Sequence, residues 1–405
     1  MNGVEATGNG RGGRARRALT LAATCALALA IGGAGSGIRS VPADAAPPGQ
    51  WGEWVSLKGV VDVAGPRRDG TYVAAADGLL WLVSRGRSVA PFGQDPGGYR
   101  TKPGTEPYIA VAHGAGASAQ GCAFAEDDVF ALEPGTSPPS VIRVDGTTGK
   151  ASTFASAPPG MDSLGGLAFD GVGNFNGTLL VVGRRGAHSE VLSVDCRGNV
   201  GVITDQAPPV EGGMAVAPPE FGDFHGDLVA ADENSGTIFA IDSHGVVSTL
   251  ATPSQPSGPD IGVESAGFVP RGGNSAGRGA MLVADRGTPG SPHPGTDTIL
   301  EASIPPGVSE GDLLVVSEAS ARTVAVHCAA AGCTVSDAAI GPAASHVEGH
   351  LAFVPLGTAQ PLGVTLRSLP GESGAPAYLF VLALVGLFLV TLFASAASRP
   401  PARRR

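Results

Sequence analysis

The stretch Glu211–Thr252, EGGMAVAPPEFGDFHGDLVAADENSGTIFAIDSHGVVSTLAT, decides the fold of this chain. Its apolar segments predict four short strands, which are Gly213–Ala217, Asp227–Ala231, Thr237–Asp242 and Val246–Leu250. Pro, Asn, Ser and Gly residues separate these segments, and such residues end strands because their backbones favour turns. A recurring unit of four antiparallel strands over about 45 residues is typical of a β-propeller blade.

Copies of this stretch fill most of the 405-residue chain. The hairpins RVDGTTGK, SVDCRGNV and AIDSHGVV align on Asp145, Asp195 and Asp242, which lie 50 and 47 residues apart. We count six copies, with five or seven as alternatives, and the boundary between copies five and six is the least defined. The sequence therefore predicts an all-β chain with a single propeller of six blades at residues 69–356.

The two ends of the repeat region predict how the ring closes. The first copy lacks its first strand, and HVEGHLAFVP at 346–355 is an isolated first strand with no blade after it. An unpaired strand edge promotes aggregation in open sheets, and pairing these two ends would leave no such edge. We therefore expect the N-terminal and C-terminal strands to pair and close the propeller.

Both ends of the chain predict export and membrane anchoring. Four Arg residues precede the apolar run Ala18–Ile31, and Ala43-Asp44-Ala45 offers a cleavage site, so residues 1–45 are predicted to be a secretory signal peptide. Residues 377–397 lie in an uncharged apolar stretch long enough to cross a bilayer, which needs about 20 residues. The tail 398–405 carries four Arg, and the positive-inside rule places it in the cytoplasm.

These segments predict one topology, a single-pass protein of a bacterial-type cell membrane. Its N-terminal domain lies outside the cytoplasm, and one C-terminal transmembrane helix anchors it. Residues 46–68, which carry Trp51 and Trp54, are predicted to be a linker or an edge cover, and residues 357–376 a juxtamembrane linker.

The charge of the exported part excludes one class of partner. The chain has 26 basic and 36 acidic residues, and the signal and tail segments hold nine of the basic and two of the acidic ones. The remainder therefore carries a net charge of −17, which disfavours binding to nucleic acid and suits cation binding or solubility.

Four cysteines remain after export, and an even number outside the cytoplasm predicts disulfides. Cys328 and Cys333 bracket the turn of a predicted hairpin, where a disulfide would staple the loop. Cys122 and Cys196 form the remaining pair, which neighbouring blades could bring together. The alternative for both pairs is free buried thiols.

Aligning the copies singles out one position with possible chemistry. Glu106, Glu211, Glu264 and Glu348 each stand just before the first strand of a copy. Because the innermost strands of a propeller line its central channel, these carboxylates could converge and bind a divalent metal, for which calcium is the best match. The alternative is four carboxylates that face solvent. His346, Glu348 and His350 alternate at period two, so both His side chains are further binding candidates on the closing strand.

The pattern of Glu-Gly, a short apolar strand, a turn and the strand DLVAAD resembles the regucalcin/gluconolactonase family of six-bladed propellers. The resemblance covers residues 69–355 and implies that Glu211, Glu264, Glu348 and Glu106 match positions where family members bind a divalent metal. It also implies hydrolysis of sugar lactones or related esters. The chain departs from the family at its Glu-Gly-Pro-x-Trp motif, since Gly-Gly-Met-Ala follows Glu211.

Three functions compete on this sequence. The first is a binding or interaction module at the cell surface, whose partner is an unknown protein or a small-molecule or carbohydrate ligand. The second is a divalent-metal-dependent hydrolase of the lactonase type that uses the channel carboxylates. The third, a quinone-dependent sugar dehydrogenase on a similar propeller, has no distinctive residues here. The sequence favours the binding module, because it shows no set of catalytic residues.

Overall fold

The structure is a computed structural model that describes residues 49–354, apart from 103–104, 115–120, 134–135, 187 and 275–278. The predicted signal peptide 1–45, the juxtamembrane linker 357–376, the transmembrane helix 377–397 and the tail 398–405 lie outside the described residues. Within the described residues, no helix has the length and apolar character needed to cross a membrane.

The described residues form 25 β-strands and one short 3₁₀ helix. The strands of the first half are β1 (Gly49–Gln50), β2 (Gly52–Ser56), β3 (Val60–Ala64), β4 (Tyr72–Ala76), β5 (Leu79–Val83), β6 (Val89–Phe92), β7 (Ile109–Val111), β8 (Val129–Glu133), β9 (Ser140–Val144), β10 (Ala151–Ser156), β11 (Ser163–Phe169), β12 (Leu179–Arg185), β13 (His188–Val194) and β14 (Val200–Ala207). Those of the second half are β15 (Ala215–Val216), β16 (Leu228–Asp232), β17 (Thr237–Ile241), β18 (Val247–Ala251), β19 (Val263–Phe268), β20 (Ala280–Asp285), β21 (Thr298–Ser303), β22 (Leu313–Ser317), β23 (Thr323–Ala329), β24 (Gly332–Ile340) and β25 (Val347–Val354). The 3₁₀ helix, Gly222–Phe224, lies between β15 and β16.

Six sheets form the blades of a propeller, which confirms the predicted fold. From the channel outward, blade 1 is β3-β4-β5-β6, blade 2 is β7-β8-β9-β10, blade 3 is β11-β12-β13-β14 and blade 4 is β15-β16-β17-β18. Blade 5 is β19-β22-β23-β24-β1, and blade 6 is β25-β20-β21-β2. The innermost strands β3, β7, β11, β15, β19 and β25 contact one another in that order, and β25 contacts β3, so the ring is closed.

The second strand of each blade explains the apolar segments of the sequence. β4, β16 and β22 are buried at every residue, because each blade packs between two neighbours and these strands have no solvent-facing side. The outer strands β10 and β14 expose much of their surface. The aligned hairpins are held by turn chemistry, since the Asp242 carboxylate accepts hydrogen bonds from the backbone N–H groups of His244 and Val246, both at 2.9 Å.

Ring closure differs from the prediction. The first copy is complete, because β3 pairs with β4 as its innermost strand. The C-terminal strand β25 pairs with β20 in blade 6 instead of completing the first copy. The N-terminal strands β1 and β2 lie on the outer edges of blades 5 and 6, so strands from both chain ends share blade 6 without pairing directly. Residues 46–68, predicted to be a linker or an edge cover, thus supply three strands.

Copies five and six are interleaved. β19 pairs with β22, although β20 is the strand that follows β19 in the sequence. The chain leaves blade 5 after β19, forms β20 and β21 in blade 6, returns for β22 to β24 and ends in blade 6 with β25. The Trp51 indole N–H, buried between these blades, donates to Thr323 Oγ1 at 2.8 Å and fixes the N-terminal strands there.

Both predicted disulfides are confirmed. Cys328–Cys333 closes the β23–β24 hairpin, with a Cα–Cα distance of 4.0 Å. Cys122–Cys196, the inter-blade disulfide, joins the segment before β8 of blade 2 to the β13–β14 turn of blade 3, with a Cα–Cα distance of 5.9 Å.

Candidate functional site at the acidic mouth of the channel

The structure brings the four predicted carboxylates together at one end of the channel. Glu106 and Glu211 precede β7 and β15, and Glu264 and Glu348 lie near the start of β19 and β25. All four line one cavity of about 210 Å³, the acidic mouth. Their convergence follows from the shared direction of the inner strands, whose first residues all lie at the same end of the ring.

The sequence comparison of first strands missed half of this cavity. Its other lining residues are Glu233, Asp260, Arg286, Thr288, Glu318 and His346, of which only His346 was a candidate. Glu233, Arg286 and Glu318 directly follow β16, β20 and β22, the second strands of their blades. The sequence signal that could have identified these three residues is a charged residue at the same repeat position, in AADE, VADR and VVSE.

The acidic mouth holds more negative than positive charge. Seven of its ten lining residues are Glu or Asp, and among the described residues only Arg286 and His346 supply positive charge to its lining. With all groups ionised, the net charge of the lining is −5. Like charges at close range raise one another's pKa, so part of this charge must be removed by protons or by a further cation.

Arg286 lies between two of the four predicted carboxylates. Its Nη1 donates to Glu106 Oε1 and, at 2.9 Å, to Glu348 Oε1. Burial lowers the pKa of Arg286, but the charges of Glu348 and Glu106 outweigh this and raise the pKa above its usual value. The predicted ring of four Glu residues therefore contains a guanidinium of the chain itself.

His346 is the second internal cation. Its side chain is 3% exposed, and Nε2 lies 2.9 Å from Glu318 Oε1 and 3.3 Å from Glu348 Oε1. Burial lowers the pKa of His346, but these two carboxylates raise it to about 10, so the ring is an imidazolium at neutral pH. Its Nδ1 is buried and has no hydrogen-bond partner among the described residues.

Tyr108 connects the remaining predicted carboxylate to this network. Its hydroxyl oxygen lies 3.1 Å from Glu264 Oε1 and 3.2 Å from Glu348 Oε2, so the two carboxylates share its single proton. Burial and then the charge of Glu348 raise the pKa of Glu264 well above its usual value, since that residue is only 3% exposed. Gly212 packs against Glu264 with a φ of +74°, and an added Cβ would overlap the carboxylate. Gly212 of the Glu-Gly pair is thus required by both backbone conformation and space.

Glu211 and Glu233 lie at the boundary between the acidic mouth and a second cavity of about 450 Å³, the side cavity. Glu211 is exposed to this open space, yet the surrounding walls partly desolvate it, and with Glu106 they raise its pKa to about 7. Burial and the charge of Glu318 raise the pKa of Glu233 to about 7 as well. The side cavity mixes apolar and polar groups, among them Leu164, Val182, Ser163, Ser189 and Arg184.

His350 does not belong to the acidic mouth. Its Nδ1 lies 2.8 Å from Asp62 Oδ2 and its Nε2 lies 2.7 Å from the Leu167 carbonyl oxygen, so both ring nitrogens have partners. The residue lines a third cavity of about 290 Å³, which is mostly apolar. Gly349, with a φ of +72°, bulges the strand between Glu348 and His350 and separates the two levels of the channel.

Among the residues that the structure describes, one set of side chains has the geometry to hold a metal ion. Single ligand atoms of Glu318, His346 and Glu348 all lie within 4.8 Å of one another, and the three residues are buried. Of the four predicted metal ligands, this set includes only Glu348. Glu106 is engaged by Arg286 and Glu264 by Tyr108, while Glu211 faces the side cavity.

No protein-family model and no curated protein matches this chain. Among solved structures, it is similar to a streptogramin B lyase at 12% identity, over 72% of this chain and 74% of that chain, with a TM-score of 0.40. It is also similar to a catalytically inactive virginiamycin B lyase from Staphylococcus aureus with quinupristin, at 12% identity over 74% and 91% of the two chains, TM-score 0.39. A gluconolactonase from Xanthomonas campestris shares 14% identity over 59% and 70%, TM-score 0.36. These likenesses concern the fold alone.

Proposed function

We propose that this chain is a ligand-binding propeller whose site is the acidic mouth, and that a divalent cation binds there. The observation that carries the proposal is the cavity of about 210 Å³ in which seven carboxylates face two fixed cations. Burying carboxylates without enough positive charge destabilises a protein, and a bound divalent cation would supply the missing positive charge. The proposed ligand of the module as a whole is a small molecule in the side cavity, which shares Glu106, Glu211 and Glu233 with the mouth.

Two buried polar atoms in this cavity lack a hydrogen-bond partner within the described part of the chain, which supports the binding of an ion there. His346 Nδ1 and Thr288 Oγ1 are buried without a hydrogen-bond partner among the described residues, and both residues line the acidic mouth. Buried polar groups are nearly always bonded, so two such atoms in one small cavity favour a bound ion with its water molecules.

The residues favour calcium over a transition metal. Calcium binds oxygen ligands in flexible geometry, and carboxylate oxygens are what the mouth supplies. A transition metal would bind His346 as a neutral imidazole, whereas the contacts with Glu318 and Glu348 raise the pKa of that ring to about 10 and so favour its protonated form. If calcium binds, Glu318 and Glu348 would hold it on the buried side and Glu211 and Glu233 on the side of the side cavity.

Calcium titration of the purified protein after treatment with EDTA tests the proposal. Binding to the native state raises stability by about 2.7 kcal/mol at calcium a hundredfold above Kd, which shifts Tm by about 5 °C in a domain of this size. Glu211→Gln and Glu318→Gln should lose most of the shift. Asp205→Asn, a matched change at an exposed position of the outer strand β14, should keep it. No shift at millimolar calcium in the wild-type protein would refute the proposal, and a larger shift with zinc would replace calcium by a transition metal.

A second candidate function, metal-dependent hydrolysis of an ester or lactone, is favoured by one observation. Glu211 and Glu233, whose pKa values are raised to about 7, face the side cavity. A carboxyl group with a pKa near the working pH is suited to proton transfer as a general base. Calcium-dependent turnover of lactones or aryl esters would establish this function, and Glu211→Gln should lower that turnover at least about a hundredfold. Calcium binding without turnover of any such ester would refute the hydrolase function and leave ligand binding as the proposed function.

The cellular placement of this module is also a proposal. We propose that residues 1–45 direct export and that residues 377–397 anchor the propeller outside the cytoplasm, where its disulfides are stable. A protease added to intact cells should then remove the propeller and spare a tag placed after residue 405. Protection of the propeller until the cells are lysed would contradict this topology.

A further inference from the structure

Arg286 reaches the acidic mouth from a different strand than the two carboxylates that it contacts. It follows β20 in blade 6, while Glu106 precedes β7 in blade 2 and Glu348 lies in β25. Its side chain is 18% exposed, and Nη1 bridges the two carboxylates. A guanidinium stays charged at every accessible pH, so Arg286 is a permanent cation at this position.

Arg286 and a metal ion would compete for the same carboxylate, that of Glu348. Glu348 Oε1 accepts from Arg286 Nη1 at 2.9 Å and lies 3.3 Å from His346 Nε2. Within the described part of the chain, Glu348 also belongs, with Glu318 and His346, to the one set of residues whose ligand atoms lie close enough together to hold an ion. A divalent ion bound by these three residues must either displace Arg286 from Glu348 Oε1 or bind next to the positive charge of Arg286.

We propose that Arg286 is a tethered counter-cation that competes with a divalent ion and sets the affinity of the acidic mouth. This inference rests on the proposed function. Arg286 withholds Glu106 and Glu348 from the ion and repels it, so the wild-type protein binds calcium weakly. The same contacts keep the mouth folded when no ion is bound, because Arg286 offsets part of the repulsion among the seven carboxylates.

The test compares Arg286→Gln with wild type by calorimetric calcium titration and by Tm in EDTA. Removing a fixed charge a few ångström from the ion should lower the calcium Kd by at least about tenfold. In EDTA the variant should melt earlier than wild type, and calcium should restore its Tm. The control is Arg271→Gln, which removes a surface Arg paired with Glu220 and should leave the calcium Kd unchanged.

The outcomes separate this inference from the proposed function. Calcium binding by the variant but not by wild type would support the inference and refute calcium binding as the native function, since Arg286 would then replace the ion. Equal calcium Kd values in the two proteins would overturn the inference and leave the proposed function standing. Absence of calcium binding in both would overturn both.

A second variant covers the case in which Arg286→Gln does not fold. Arg286→Lys keeps the charge, but its single ammonium cannot reproduce the guanidinium fork, so it holds the two carboxylates less firmly. Its calcium Kd should fall between those of wild type and a tenfold tighter site. A calcium Kd in Arg286→Lys weaker than that of wild type would overturn the inference, because a cation that holds the two carboxylates less firmly cannot compete better with the ion.

Discussion

Replacing Asp62 by Asn should destabilise the propeller far more than its small change in volume suggests. Asp62 is fully buried in β3 and accepts four hydrogen bonds. These come from the backbone N–H groups of Val63 at 2.8 Å, Ile109 at 2.6 Å and His350 at 2.7 Å, and from the His350 ring at 2.8 Å. Because His350 Nε2 also contacts the Leu167 carbonyl oxygen, this one carboxylate links blades 1, 2, 3 and 6.

The expected magnitude follows from these contacts. Asn keeps one acceptor oxygen and turns an NH₂ group toward donors, so about two of the four bonds are lost and a buried charge pair is broken. Breaking a buried pair by removing one partner costs about 3–5 kcal/mol. Burial lowers the pKa of His350 but the Asp62 charge raises it above its usual value, so the variant should also lower the pKa of that ring.

Urea denaturation followed by circular dichroism measures the change in unfolding free energy directly. The matched control is Asp205→Asn on the exposed strand β14, which should change the unfolding free energy by no more than about 0.5 kcal/mol. A loss below about 1 kcal/mol for Asp62→Asn, with an unchanged denaturant slope, would refute the assigned role of Asp62 as the link between blades.

Three further predictions concern pH, backbone and disulfides. In EDTA, Tm should fall as pH rises from 5 to 8, for two reasons. Glu211, whose pKa is raised from 4.5 to about 7 in the folded state, holds a proton there that it loses on unfolding, so stability falls as pH rises through this range. The stabilisation from His346 is complete below its unfolded pKa of about 6.5 and is lost as pH rises toward its folded pKa of about 10. Gly212→Ala should cost about 2–3 kcal/mol in urea denaturation, whereas Gly52→Ala, with open space around it, should cost less than about 0.5. Replacing both cysteines of the inter-blade disulfide by Ser should cost about 4 kcal/mol of unfolding free energy, as expected for a separation of 74 residues.

The sequence predicts the blades well because their signals are local. Asp145, Asp195 and Asp242 each accept backbone N–H bonds within their own turn, so the hairpin is encoded in about five residues wherever it occurs. Strand partners are not local. β20 and β22 are both continuous apolar strands buried on both faces, and nothing in either pattern says which one pairs with β19. This degeneracy explains why the boundary between copies five and six is the least defined in the sequence.

The candidate site was half predictable for a similar reason. The carboxylates at the start of the first strands are found by aligning repeats, because the fold repeats their position around the channel. Arg286 stands at an equally regular position after a second strand, but its meaning depends on contact with Glu106, which is 180 residues away. His350 matched the alternation of His346 and Glu348, yet the bulge at Gly349 moves it to another level. The positive φ of Gly349 is therefore enough to break the strict alternation of side chains that the prediction for His350 assumed.

The two levels of the channel should respond to the loss of one carboxylate with opposite signs. Asp62 is fully bonded, so its neutralisation removes stabilising contacts. Glu264 has one hydroxyl partner and several acidic neighbours that raise its pKa, so Glu264→Gln should raise Tm in EDTA at pH 8 while keeping the Tyr108 bond through its amide oxygen. A stabilising change at the mouth would mean that the charges there are retained for binding and not for folding. Thermal melting of both variants side by side decides this, and a lower Tm for Glu264→Gln would show that the mouth, too, is part of the framework that holds the ring together.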